Sequence, residues 1–283
     1  MDTHTKTTKA VDVVSRIRRM AVCGYFYPAS AELLREAMDS AIDYHGQAKP
    51  AQAVVVPHGS FAHCGKVSAS VLSRTQIPRR CIIVGPSHTG SWMPWSLMAR
   101  GWYRTPLGDV PVDEQLCDAL RQRCAFLESD AWAQQGEHSI EAILPFLQHL
   151  GPANLSIVPV VVGSDDAVEL GLFAQAVAQV VRMVEEPVLL IASANFSHYE
   201  PQAVVVEQDQ AILEQVKRLD GEAVMRMVRE RGIRMCAANA VSAVLSASRL
   251  FGAEQVQLTS YATSAEAGGD TDSAIGFAGV RIV

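Results

Sequence analysis

Several common chemistries are missing from this chain of 283 residues. No GxSxG elbow, P-loop, GxGxxG or HExxH occurs, which removes the usual serine-nucleophile, nucleotide and zincin readings. The six cysteines (Cys23, Cys64, Cys81, Cys117, Cys124 and Cys236) show no CxxC or CxxxC pairing. They read as reduced thiols, mostly packed as small hydrophobes, and a disulfide framework is not expected. No apolar run reaches the roughly 18–20 residues that a bilayer span needs, so no membrane association is expected. The start, Met1-Asp2-Thr3-His4-Thr5-Lys6, has no apolar core of a signal peptide, and the expected location is cytoplasmic. Charged residues are scarce at 19% and the formal net charge is −6. That balance argues against a nucleic-acid partner, and the short run Arg16-Ile17-Arg18-Arg19 does not reverse it.

Hydrophobic residues are abundant at 49%, enough for a generous core. The first ten or so residues are polar, and a disordered tail over 1–12 is expected ahead of one domain over 13–283. Apolar runs closed by Gly or Pro read as strands buried on both faces: Ala51–Val56, Cys81–Val84, Leu155–Val162 and Val188–Ala192. Further strands are expected at Leu97–Trp102, Val110–Val112, Val256–Tyr261 and Ile275–Ile282. Helical spacing marks Ala31–His45, Lys66–Arg74, a helix capped by Asp113 and running to about Cys124, and one capped by Asp165 or Asp166 and running to Met183. Another opens at Glu137, with Pro145 expected to kink it. Glu207–Leu219, Gly221–Arg231 and Cys236–Phe251 complete the set. Strand–loop–helix–strand over 51–84 is a βαβ unit, so the fold class is α/β with a parallel sheet.

The strand ends carry the chemistry. Val56-Pro57-His58, Val84-Gly85-Pro86-Ser87-His88 and Ile191-Ala192-Ser193-Ala194-Asn195-Phe196-Ser197-His198 each run from an apolar strand into a histidine. Open α/β sheets place ligands at the carboxyl ends of their strands. Each histidine taken singly reads more readily as a hydrogen-bonded loop residue, and the repetition is what points to a shared site. Imidazole suits Fe(II), Zn and Cu, and a third donor is needed. Cys236 opens a small-residue helix, where the dipole favours a thiolate, although packing is the plainer reading. His138 is a candidate acid/base, while Glu137 beside it could simply cap a helix. His45, His63 and His149 read as solvated.

Together, Cys23-Gly24-Tyr25-Phe26-Tyr27-Pro28, Pro57-His58, Gly85-Pro86-Ser87-His88, Glu137-His138-Ser139-Ile140-Glu141 with Leu144-Pro145-Phe146, Phe196-Ser197-His198-Tyr199 and Cys236 resemble the MEMO-like family. Its bacterial members are called AmmeMemoRadiSam system protein B. The resemblance implies a single domain like that of the class III extradiol ring-cleavage dioxygenases, with a mixed, mostly parallel sheet sandwiched between helices. It implies metal ligands at His58, His88 and Cys236, with His138 and His198 as further pocket residues and candidates for catalysis. Two departures stand out. Pro57-His58-Gly59-Ser60-Phe61 replaces a PHAGY-type loop, and Asn195 replaces the acidic residue of a D-F-S-H motif, which removes a carboxylate from the pocket.

The leading expectation is a metal-dependent redox enzyme. Its cofactor would be a divalent transition metal, Fe(II) ahead of Zn or Cu, and its substrate a small molecule taken with O₂ or within a radical-SAM-associated pathway, with a partner from that pathway. A second is a binding protein that uses the same pocket for a metal or a peptide, since one family member is regarded as a signalling adaptor. A third is a zinc hydrolase with His138 as acid/base.

Overall fold

The computed structural model describes residues 16–43, 46–90 and 93–283. The expected tail over 1–12 and the expected helical end at His45 lie outside the described residues. The strands are β1 (Ile17–Arg18), β2 (Ala53–Val56), β3 (Arg80–Pro86), β4 (Trp95–Leu97), β5 (Trp102–Thr105), β6 (Gly108–Pro111), β7 (Glu128–Ser129), β8 (Ser156–Val162), β9 (Val188–Ser193), β10 (His198–Glu200), β11 (Val256–Thr263) and β12 (Ala274–Ile282). The α-helices are α1 (Ala31–Ala41), α2 (Phe61–Ser73), α3 (Glu114–Arg121), α4 (Leu144–Leu150), α5 (Ala167–Met183), α6 (Gln202–Lys217), α7 (Gly221–Arg231) and α8 (Ala238–Leu250).

One mixed sheet runs in the order β10-β12-β2-β9-β3-β8-β4-β7, with β11 on the far side of β12. Its centre, β2-β9-β3-β8, is parallel, and β12 and β4 flank it antiparallel. The central strands are buried at every position. That is why they read as continuous apolar runs and not as alternating ones. Among the described residues, β1, β5 and β6 form a small separate sheet. No helix among the described residues is long and apolar enough to cross a membrane.

Several expected boundaries move, among them the helix expected over Glu207–Leu219, which runs Gln202–Lys217. The run Leu97–Trp102 is two strands, because Gly101 turns the chain at φ +105°, where a Cβ would strike the Arg16 carbonyl. Helix α2 begins at Phe61 and not Lys66, with Ser60 in extended conformation as its N-cap. Pro145 kinks nothing: it lies at the first turn of α4, where a missing N–H costs no hydrogen bond. A short 3₁₀ turn, Glu141–Ile143, precedes it. Cys236 does not open α8, which starts at Ala238 with Ala237 as N-cap. Of the two candidate caps for α5, Asp166 is the one that accepts from Val168 and Glu169 N–H.

Candidate metal centre

The register of the parallel strands sets the site. Val56 pairs with Ser193 and Val84 with Ala192, so the segments after β2, β3 and β9 leave the sheet at the same edge. His58 follows β2 by two residues, and its side chain is buried. Ser193 Oγ donates to the Ser139 carbonyl, so it meets His58 Nδ1 (3.0 Å) as an acceptor. That makes His58 Nδ1 the donor to Ser193 and turns Nε2 toward Cys236 Sγ, 3.5 Å away.

His88 follows β3 by two residues. Its Nδ1–H donates to Glu137 Oε1 at 2.9 Å and its backbone N–H to Glu137 Oε2. Glu137 also accepts from Ser139 N–H at 2.7 Å, so its oxygens are committed. This carboxylate orients an imidazole from behind, the arrangement that commonly supports metal-binding histidines. Close approach makes it possible: a Cβ at Gly85 would lie 2.5 Å from Ser139 Oγ.

Cys236 arrives by a different route. Met235 forms an isolated antiparallel bridge with Ser197, and His198 N–H donates to the Arg234 carbonyl. The turn before α8 is therefore docked onto the loop after β9, with Cys236 Sγ facing His58. His198 is not held at a strand end as expected. It opens the short strand β10, paired to Ile275 of β12, and its Nδ1 faces the Phe196 carbonyl at 2.6 Å.

The donor atoms of His58, His88 and Cys236 all lie within 4.8 Å of one another. His88, Glu137 and His138 make a second such group, but there the carboxylate is already used by His88 and Ser139. The electrostatics follow the packing. Burial alone would raise the Cys236 thiol, but the His58 charge and hydrogen bonds with His198, His58 and His88 outweigh it and hold the pKa well below the ordinary value. Burial opposes a charged His88, yet its contacts with Cys236 and Glu137 push its pKa up to about 9. Glu137 is carried the other way, to about 2, because His88 overcomes its burial. Burial and the neighbouring charges of His88 and His58 press His138 down to about 4, so it is neutral near pH 7.

All four strand- and loop-borne histidines, His58, His88, His138 and His198, line one cleft of about 530 Å³. The His88 and His138 rings stack at 4.3 Å, and Phe26 meets His138 edge-on at 5.1 Å. His63 is exposed, as expected, and stands at the cleft beside Ser60 (3.2 Å). His149 pairs with Asp39 at 2.7 Å.

The model of the Memo-like protein family matches residues 18–281. The chain belongs to this family. It is 31% identical to a MEMO1 family protein of Methanopyrus kandleri over 276 residues, covering 93% of this chain and 98% of that one. A MEMO1 family protein of Methanothermobacter thermautotrophicus is 32% identical over 277 residues, with 93% and 99% covered. An uncharacterised protein of Escherichia coli K12 shares the fold at a TM-score of 0.55 and 16% identity, over 82% of this chain and 99% of that chain. For a Memo-like chain, then, the histidine–cysteine cluster is built from the parallel centre of the sheet plus one docked turn.

Proposed function

We propose that this Memo-like protein holds one divalent transition metal on His58 Nε2, His88 Nε2 and Cys236 Sγ, and that it is a metal-dependent redox enzyme acting on a small molecule. The observation carrying this is the convergence of three donors within 4.8 Å, with each imidazole fixed through its other nitrogen by Ser193 or Glu137. Two imidazoles and a thiolate suit iron, zinc or copper and reject magnesium and calcium, which want oxygen. When bound on three protein ligands, such an ion supplies Lewis acidity and, for iron or copper, one-electron chemistry at open positions.

The remaining work belongs to the chain. His138, kept neutral, is ready to accept a proton from a ligand in the cleft, whereas a charged imidazole could not. His198, with Nδ1 turned to the Phe196 carbonyl, presents Nε2 inward. Phe26 meets His138 edge-on, and Phe277 lines the same cleft.

A second reading, an adaptor that grips a peptide, is favoured by Tyr25 at the cleft mouth, 86% exposed. Elemental analysis of anaerobically purified protein tests the metal, and O₂ uptake with turnover separates enzyme from adaptor. Near one iron, zinc or copper per chain, lost in both Cys236→Ser and His88→Ala, is expected. Full occupancy in both variants would overturn the reading.

A further inference from the structure

Asn195 is 8% exposed and lines the cleft. Its Oδ1 accepts the His58 backbone N–H at 3.0 Å. A backbone N–H can only donate, so the oxygen of the amide must face it and the Nδ2 hydrogens are turned to the other side. Among the described residues no acceptor meets Nδ2. Nδ2 is thus an uncommitted amide donor on a side chain that lines the cleft, where a ligand can engage it.

The surroundings define which ligand. Five histidines line the cleft, and among the described residues no aspartate or glutamate does. The carboxylate of Glu137 is spent behind His88. Phe26, Ile275 and Phe277 give the same cleft an apolar wall. One uncommitted amide donor, a lining without Asp or Glu and a hydrocarbon wall select a molecule with an apolar body and an oxyanion.

We propose that the cleft binds a small organic carboxylate, with Asn195 Nδ2 donating to a carboxylate oxygen and the body of the ligand against Phe26 and Phe277. This rests on the reading of the cleft as the functional centre and adds the sign and shape of what enters it. Asn195 thus determines specificity. An aspartate there would still accept from His58 N–H, but would replace the one free donor by a second anionic oxygen and repel the same ligand.

The test uses benzoate and its neutral isostere benzamide, titrated into the full-length protein with and without Zn²⁺. A hydrogen bond to a charged group is worth about tenfold or more in affinity, so the wild type is expected to bind benzoate at least about tenfold tighter than benzamide. Asn195→Asp, which is isosteric, is expected to invert that order while keeping its Zn²⁺. Independently of any variant, the assigned Asn195 side-chain amide resonances should shift on adding benzoate. Equal binding of the two probes by the wild type, a preserved benzoate preference in Asn195→Asp, or unmoved amide resonances each overturn the inference. Zn²⁺ occupancy indifferent to Cys236→Ser would instead overturn the metal centre and leave the benzoate result standing.

Discussion

Asp209 shows how one side chain supports the site from outside it. It is fully buried on α6, and its two oxygens accept from Ser197 N–H and Tyr261 OH, each at 2.8 Å. The carboxylate occupies the space a Cβ would need at Gly276. Burial, only partly offset by the bonds to Ser197 and Tyr261, raises its pKa to about 6. The folded state therefore holds a proton that the unfolded chain has released above pH 3.8. Stability is unaffected by this group below that pH, and falls as pH rises from 3.8 through 6. The loss is about 3 kcal/mol for a shift of this size. Asp209→Asn removes the titration, so denaturant melts of the two proteins should diverge in favour of the variant between pH 4 and 6.5. Parallel curves would mean that Asp209 titrates normally. Glu137 acts on the site more directly. In Glu137→Gln the orienting charge behind His88 is gone, and chelator competition should report a 10–100-fold weaker metal affinity, as for other such partners.

Among the elements, the connection that matters most is the one no pattern announces. Arg18 of β1 is fully buried and pairs with Glu141, and also donates to the Glu137 and Gln134 carbonyls. Glu141 in turn accepts from Ala21 N–H, Val22 N–H and Tyr27 OH. The aromatic turn at 24–28 and the loop that carries Glu137 and His138 are thus fastened to one ion pair. Arg18→Met strands a buried carboxylate and should cost roughly 3–5 kcal/mol, whereas adding Glu141→Gln should recover part of it. Urea unfolding of both variants checks this, and a double variant no more stable than the single one would mean that packing and not charge carries the contact. Gly85→Ala attacks the same region from β3: its new Cβ would meet Ser139 at 2.5–2.9 Å. A loss of about 1–3 kcal/mol is expected, as for other overpacked sites.

At the scale of the whole molecule, the three proposed ligands come from residues 58, 88 and 236, so a bound ion ties both halves of the chain across the sheet edge. An ion that binds only the folded state stabilises it by about 2.7 kcal/mol at one hundred times its Kd. Thermal unfolding of metal-stripped protein should rise with added Zn²⁺ and should not in Cys236→Ser. The same rise in both would place the ion elsewhere.

The amino-acid sequence by itself determined the α/β class, the buried parallel strands and the edge of the sheet where the site lies. Those follow from continuous β-branched runs closed by Gly or Pro, whose burial on both faces leaves little choice of partner. His58 and His88 were legible for the same reason, each being two residues past such a run. Tertiary structure alone decided the rest. Cys236 reaches His58 through the Ser197–Met235 bridge, a contact between residues nearly forty apart that no local spacing encodes. It also decided that Glu137 serves His88 instead of capping a helix, that Pro145 starts a helix instead of bending one, and that the amide of Asn195 is turned by the His58 backbone. Each of these depends on which hydrogen-bond partner arrives from a distant element, and only the folded chain supplies that partner.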